Sequence, residues 1–207
     1  MIRNIIFDLN KVIVTYENHP QNEELDKRYM ELIGMTQEEF WKGAMKHFDE
    51  YNEGRINFEE YMKIVFDQFN LPYSKISELR RIHDESFRFV EGFPQILDEL
   101  KQSHNLILLA GDGFECGQMK VETFQLKKYF NNIYITSYEK TNKKTPGIYQ
   151  KILRENSLNA AETLFIDDLT EHIEAANKAG INTIQFKDIN QLARELSRFG
   201  INLKKHT

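Results

Sequence analysis

Asn4-Ile5-Ile6-Phe7-Asp8 opens the chain with an apolar run of strand length that stops on an acid. The same grammar returns twice. Leu106-Ile107-Leu108-Leu109 runs into Ala110-Gly111-Asp112-Gly113, and Leu164-Phe165-Ile166 runs into Asp167-Asp168. Ile133–Ile135 and Thr183–Phe186 are further runs of this length, and segments with a 3.6-residue apolar period separate most of the five. Strand and helix in alternation predict an α/β fold built on a doubly wound parallel sheet.

Caps support the helices. Asp188 with Gln191 three residues on opens a helix whose apolar face is Ile189, Leu192, Ala193, Leu196 and Phe199, and Gly200 stops it. Between the first two strands the chain reads as helical, with no convincing strand. Thr36 and Glu39 open one helix with Phe40, Ala44, Phe48 and Tyr51 on a face; Asn57 and Glu60 open another with Phe58, Tyr61, Val65 and Phe69. Leu25–Ile33, ending at Gly34, and Ile76–Phe87 look similar. A crossover between parallel strands needs a single helix, so four predict a helical bundle inserted over residues 15–88. Residues 1–14 and 89–207 then form a Rossmann-like core. A length of 207 residues, more than one domain of roughly 150 residues but less than two, agrees with one core plus an insert.

Composition narrows the function. Twenty-seven Lys+Arg against 32 Asp+Glu give a net charge of −5, which offers no basic field for nucleic acid or an anionic membrane. No apolar stretch reaches 18 residues, and Cys116 alone cannot form an intramolecular disulfide. A cytoplasmic protein is expected; oligomeric state is left open.

The acids Asp8, Asp167 and Asp168 each directly follow a strand. In open α/β sheets ligands bind beyond the carboxyl ends of the strands, so these residues are expected to meet at one edge. Carboxylates repel by about 4 kcal/mol per pair at 4 Å and an effective dielectric near 20. A hard divalent cation, Mg²⁺, answers that repulsion because it prefers oxygen ligands.

Ile5 to Val14 (IIFDLNKVIV) resembles the first motif of the haloacid dehalogenase superfamily, Leu164 to Ala176 (LFIDDLTEHIEAA) its fourth, and Lys143-Lys144-Thr145-Pro146-Gly147-Ile148-Tyr149 its third. The helical insert matches the cap that many members carry between motifs one and two, and the chain resembles the bacterial sugar-1-phosphate phosphatases among them. The resemblance implies that Asp8 is a nucleophile that attacks a small phosphate ester to give an aspartyl intermediate. It implies Mg²⁺ held by Asp8, Asp168, Asp167 and the backbone carbonyl of Asn10. Lys143, three before Pro146, is the lysine expected beside them; Lys144 is the other register.

The chain departs from the family pattern at two positions. Where most phosphatases of the superfamily carry an acid–base aspartate two residues after the nucleophile, this chain has Asn10, and an amide exchanges no proton near neutral pH. General acid–base catalysis is worth about 10²–10⁴-fold, so activity is expected on esters with good leaving groups. Dehalogenation, where halide leaves unprotonated, and a catalytically impaired phospholigand-binding protein are the alternatives. Ala110 stands where the second motif normally supplies a Ser or Thr hydroxyl to phosphate; Gly111 and the backbone N–H groups of the following helix are expected to compensate. The acid Asp112 has no role in this reading.

Gly111-x-Gly113-x-x-x-Gly117 is a loose dinucleotide pattern, but it leaves Asp8 and Asp167-Asp168 unexplained. Cys116 reads as a small buried residue and Trp41, Met45, Phe48 and Tyr51 as bundle core. Lys11, Tyr16 and His19, where the chain leaves the sheet, are candidate specificity residues.

Overall fold

The computed structural model describes residues 1–16 and 22–204; His19 and His206 lie outside them. In chain order the elements are β1 (Asn4–Phe7), β2 (Val14–Thr15), α1 (Asn22–Ile33), α2 (Gln37–Ala44), α3 (Phe48–Asn52), α4 (Phe58–Gln68), α5 (Ile76–Ser86), β3 (Arg88–Phe89), α6 (Phe93–Leu100), β4 (Asn105–Ala110), α7 (Phe114–Thr123), β5 (Asn132–Ile135), α8 (Pro146–Glu155), β6 (Thr163–Asp167), α9 (Thr170–Lys178), β7 (Asn182–Gln185) and α10 (Ile189–Arg198). The main sheet runs β5-β4-β1-β6-β7 with every pair parallel. All five expected strands are present within a residue of their expected ends.

Side chains alternate across a strand, and both sheet faces are apolar. Ile5, Phe7, Leu106, Leu108, Leu164 and Ile166 pack with α6 and α10 on one face; Ile6, Ile107, Leu109 and Phe165 pack with α8 and α9 on the other. A strand buried on both sides must read as a continuous apolar run, which is why these strands were visible in the sequence.

The helices from α1 to α5 enclose a separate core that includes Tyr29, Phe40, Tyr61, Phe66 and Ile82. Both expected capping boxes form: Glu39 N donates to Thr36 Oγ1 at 3.2 Å, and Glu60 N to Asn57 Oδ1 at 2.9 Å. Gly34 leaves α1 at φ +76°, a left-handed turn that favours glycine.

Two expectations are corrected here. The helix read through Phe40, Ala44, Phe48 and Tyr51 is broken by a 3₁₀ turn at Met45–His47. Tyr61 Oη donates to the Ala44 carbonyl at 3.1 Å, taking the acceptor that an unbroken helix would offer to Phe48 N. The inserted segment is also not free of strand at its ends. Val14–Thr15 pairs antiparallel with Arg88–Phe89, so a two-stranded ribbon carries the chain out of the sheet and back.

Side chains at the end of α3 tie the helices to the core. Thr136 Oγ1 donates to Asn52 Oδ1 at 2.6 Å, and Asn142 Nδ2 to Glu53 Oε1 at 2.8 Å. At Gly54, φ +67°, a Cβ would lie 2.2 Å from the Ser137 carbonyl oxygen, so only glycine permits this approach.

Candidate active site

Parallel register brings the first acids together. Phe7 pairs with Ile166 and Leu108, and Asp8 N donates to the Ile166 carbonyl at 2.9 Å, so one residue further Asp8 and Asp167 stand side by side on the same face. Asp8 is 3% exposed and Asp167 fully buried. Asp168 lies beside them half-buried, and one carboxylate oxygen from each of the three falls within 4.8 Å of the others.

Lys143 reaches this group from the loop before α8. Its Nζ donates to Asp8 Oδ1 at 2.5 Å and to Asp167 Oδ2 at 2.8 Å, with only 4% of its side chain exposed. Lys144 is outside, paired with Asp49 at 3.3 Å. Tyr149 Oη donates to the carbonyls of Lys143 at 2.9 Å and His172 at 3.2 Å, which locks the lysine loop against α9. A Cβ at Gly111 would stand 3.0 Å from Lys143 Cε, so the glycine makes room for the lysine chain.

One lysine serves two buried carboxylates, and they divide it unequally. Burial raises both. For Asp167 the Lys143 charge and the His172 ring, 3.0 Å from Oδ1, outweigh burial and hold the carboxyl at about 2. Leu169 N also donates to Asp167, at 2.8 Å. For Asp8 burial prevails over Lys143, Asp167 adds repulsion, and the carboxyl is pushed up to about 8. Asp168 is raised by burial and by Asp167. The attraction of both acids holds Lys143 charged against its own burial.

Asp8, Lys143 and Asp168 form the floor of a cavity of about 260 Å³ between the sheet edge and the helices, and Asp167 lies behind them. A family model for haloacid dehalogenase-like hydrolases matches residues 5–186, nearly the whole sheet and everything inserted into it. The chain belongs to this family.

Relatives of this hydrolase include the glyceraldehyde 3-phosphate phosphatase of Pyrococcus abyssi, 22% identical over 90% of this chain and 82% of the relative. The D-ribitol-5-phosphate phosphatase of Bacteroides thetaiotaomicron is 23% identical over 89% of this chain and 92% of the relative. Among solved structures, a HAD family enzyme from Bacteroides thetaiotaomicron in complex with magnesium and inorganic phosphate superposes with a TM-score of 0.71 at 19% identity, covering 91% of this chain and 96% of that one. No helix among the described residues is long and apolar enough to cross a membrane.

One residue of this hydrolase does not sit as expected. Ala110 is fully buried at the end of β4, where its carbonyl accepts from Thr136 N at 3.0 Å, and it is not part of the cavity wall; Gly111 is. The turn into α7 and the third residue of the helix are engaged as well. Asp112 N donates to Thr136 Oγ1 at 3.2 Å, and Cys116 N to Tyr51 Oη at 3.3 Å. The Tyr51 ring lies so close over Gly113 that a Cβ there would fall 1.9 Å from the ring. The helix-terminal site expected to replace a hydroxyl is therefore covered by a cap side chain.

Asn10 and Asp112 turn out to belong together. Asn10 Nδ2 donates to Asp112 Oδ2 at 3.0 Å, while Lys120 Nζ donates to Asn10 Oδ1 at 2.7 Å and to both Asp112 oxygens at 3.0 and 3.1 Å. Both charges are nearly inaccessible, at 3% and 4%. Sequence reasoning missed Lys120 and His172. Lys120 stands two turns along the helix after Asp112, a spacing that many surface pairs share. His172 lies within the fourth motif, five residues after Asp167, where only the fold turns it back to the acid.

Lys11 and Tyr16 line the cavity, as do Trp41, Met45, Phe48 and Tyr51. Met45 is 56% exposed and does not serve as bundle core. Cys116 is buried, and burial raises its thiol to about 11, so it is no thiolate nucleophile.

Proposed function

We propose that this hydrolase is a Mg²⁺-dependent phosphatase of small phosphorylated metabolites that works through an aspartyl-phosphate intermediate on Asp8. The observation that carries this reading is the pair Asp8–Lys143 at the floor of a cavity, with Asp168 beside it and Asp167 buried behind it. The names of the two curated phosphatase relatives support it.

The donor set fits Mg²⁺. Three carboxyl groups close together offer the oxygen donors that suit a hard cation, and a bound cation would favour their ionised forms. Asp8, Asp167 and Asp168 would hold it, with the main-chain carbonyl of Asn10, since the Asn10 side chain is committed to Asp112 and Lys120. When bound, the ion supplies positive charge that offsets repulsion between carboxylate and phosphate.

This chain's own residues do the remainder. Asp8 attacks phosphorus, the ester P–O bond breaks, and its electron pair leaves with the alcohol oxygen. Lys143 places an ammonium beside the reacting carboxylate, where charge on the phosphoryl group develops. His172 and Leu169 N hold Asp167 ionised and fixed in orientation. Water then cleaves the aspartyl phosphate, releasing phosphate and restoring Asp8. Residues 15–88 act as the cap, excluding bulk water and contacting the alcohol part of the substrate. The lone buried Cys116 suits a reducing, cytoplasmic setting.

The test is phosphate release with Mg²⁺ from sugar, nucleotide and acyl phosphates, run beside Asp8→Asn. Loss of turnover in the variant is expected; turnover unaffected by it would sink the reading. Halide release from 2-haloacids would favour a dehalogenase, and Mg²⁺ binding without any turnover a phospholigand-binding protein.

A further inference from the structure

The cavity has a polar floor and an aromatic wall, and the wall carries few free polar tips. Trp41, Phe48, Tyr51, Phe58, Tyr61 and Phe87 line it. Their polar atoms are engaged elsewhere: Trp41 Nε1 donates to Tyr29 Oη at 3.1 Å, Tyr61 Oη to the Ala44 carbonyl, and Tyr51 Oη accepts from Cys116 N. A polyol bound against this wall would lose hydration without recovering its hydrogen bonds, a cost of about 1–3 kcal/mol per group. A flat apolar group would instead gain ring contacts. An apolar cavity of about 150 Å³ accepts benzene, so the 260 Å³ here has room for one ring with its phosphoryl group.

A second observation concerns the leaving oxygen. Asn10, two residues from the nucleophile, has no proton to give, and its amide is fixed between Asp112 and Lys120. Among the nearby groups, Lys143 is bound to two carboxylates and His172 to Asp167. Lys120, whose ammonium lies 4.2 Å from the Phe87 ring, is likewise bound, to Asn10 and to both Asp112 oxygens. With these donors committed, the site suits a leaving group that departs without being protonated.

We propose that the substrate is an aryl phosphate, a monoester of a phenol-like alcohol whose ring lies on the aromatic wall and whose oxygen departs as a phenolate. This inference rests on the phosphatase reading and narrows it. Asp8 forms its bond to phosphorus as the P–O(aryl) bond breaks, and the pair stays on the phenolate, which takes a proton from water on release. Hydrolysis of the aspartyl phosphate follows, the attacking water giving its proton to the departing phosphate.

Three esters separate fit from leaving ability: phenyl phosphate, benzyl phosphate with an equal ring but a poor leaving group, and glycerol phosphate, which is polar and poor. With Mg²⁺, KM for both aromatic esters is expected about tenfold or more below that for glycerol phosphate, and kcat for phenyl phosphate about tenfold or more above that for benzyl phosphate. Glycerol phosphate binding as well as benzyl phosphate, or equal kcat for the two aromatic esters, overturns the aryl proposal while the phosphatase reading stands. If neither these nor acetyl phosphate is turned over, the phosphatase reading itself fails. Titration with phenylphosphonate then decides the ligand class through the fluorescence of Trp41, the sole tryptophan. A saturable change that methylphosphonate does not produce supports an aryl ligand, and no change overturns it.

Discussion

Lys120 Nζ lies 2.7 Å from Asn10 Oδ1, a contact that spans 110 residues and fixes a neutral amide in the cavity lining two residues after Asp8. Asn10→Asp would set a carboxylate against Asp112, with Lys120 as their shared cation. Like charges so close raise the affinity of one carboxyl for a proton, which equips it as an acid. Turnover of alkyl phosphates is expected to rise by about 10²-fold in this variant, with little gain on aryl esters. Steady-state kinetics on phenyl and glycerol phosphate check this; an equal gain on both would contradict it.

Lys143 neutralises buried acids as well as lining the cavity. Lys143→Met leaves Asp8 and Asp167 without their cation, and loss of one partner of a buried ion pair costs about 3–5 kcal/mol. Urea denaturation should show that loss. Adding Asp8→Asn should recover part of the stability but none of the activity.

Magnesium should stabilise the folded protein. At one hundred times its dissociation constant a ligand specific to the native state adds about 2.7 kcal/mol, read as a rise in Tm. Asp168→Asn should reduce that rise while leaving the metal-free Tm close to wild type, because Asp168 is the half-buried member of the three acids.

His83 gives the cap a pH dependence. The ring packs 4.6 Å from Trp41 and 4.8 Å from Phe87, and burial lowers its pKa; Lys120 acts in the same direction, while Asp84 and Asp112 oppose it. Below about pH 6.5 the unfolded chain takes up a proton that the folded ring refuses. The stability contributed by the neutral ring is therefore present above that pH and lost as pH falls through the window. His83→Phe should make the Tm difference between pH 7.5 and 5.5 smaller; an unchanged difference would argue against a buried neutral imidazole.

Gly113 and Tyr51 should be coupled. Gly113 has an ordinary extended backbone, φ −63° and ψ 153°, so alanine is blocked there by the Tyr51 ring and not by conformation. Gly113→Ala is expected to cost about 1–3 kcal/mol. In the Tyr51→Ala background the same change should cost little. Thermal denaturation of the four proteins closes the cycle.

The local sequence determined the strands, the capping boxes at Thr36 and Asn57, the helical character of the insert and the acids that end β1 and β6. Strands buried on both faces must be apolar throughout, and capping is a matter of neighbours three residues apart, so both are written locally. Asp8, Asp167 and Asp168 could be expected at one edge because parallel strands share a carboxyl end, whereas Lys143 was expected beside them only through the resemblance of its motif. Tertiary structure alone decided which polar atoms remained available. Tyr61 broke a helix by taking the Ala44 carbonyl, Tyr51 covered the start of α7, Ala110 withdrew from the cavity, and Lys120 and His172 found carboxylates. Each outcome depends on a hydrogen bond or ring contact whose partner is set by packing, and composition and spacing do not encode which of several possible partners a buried polar atom will meet.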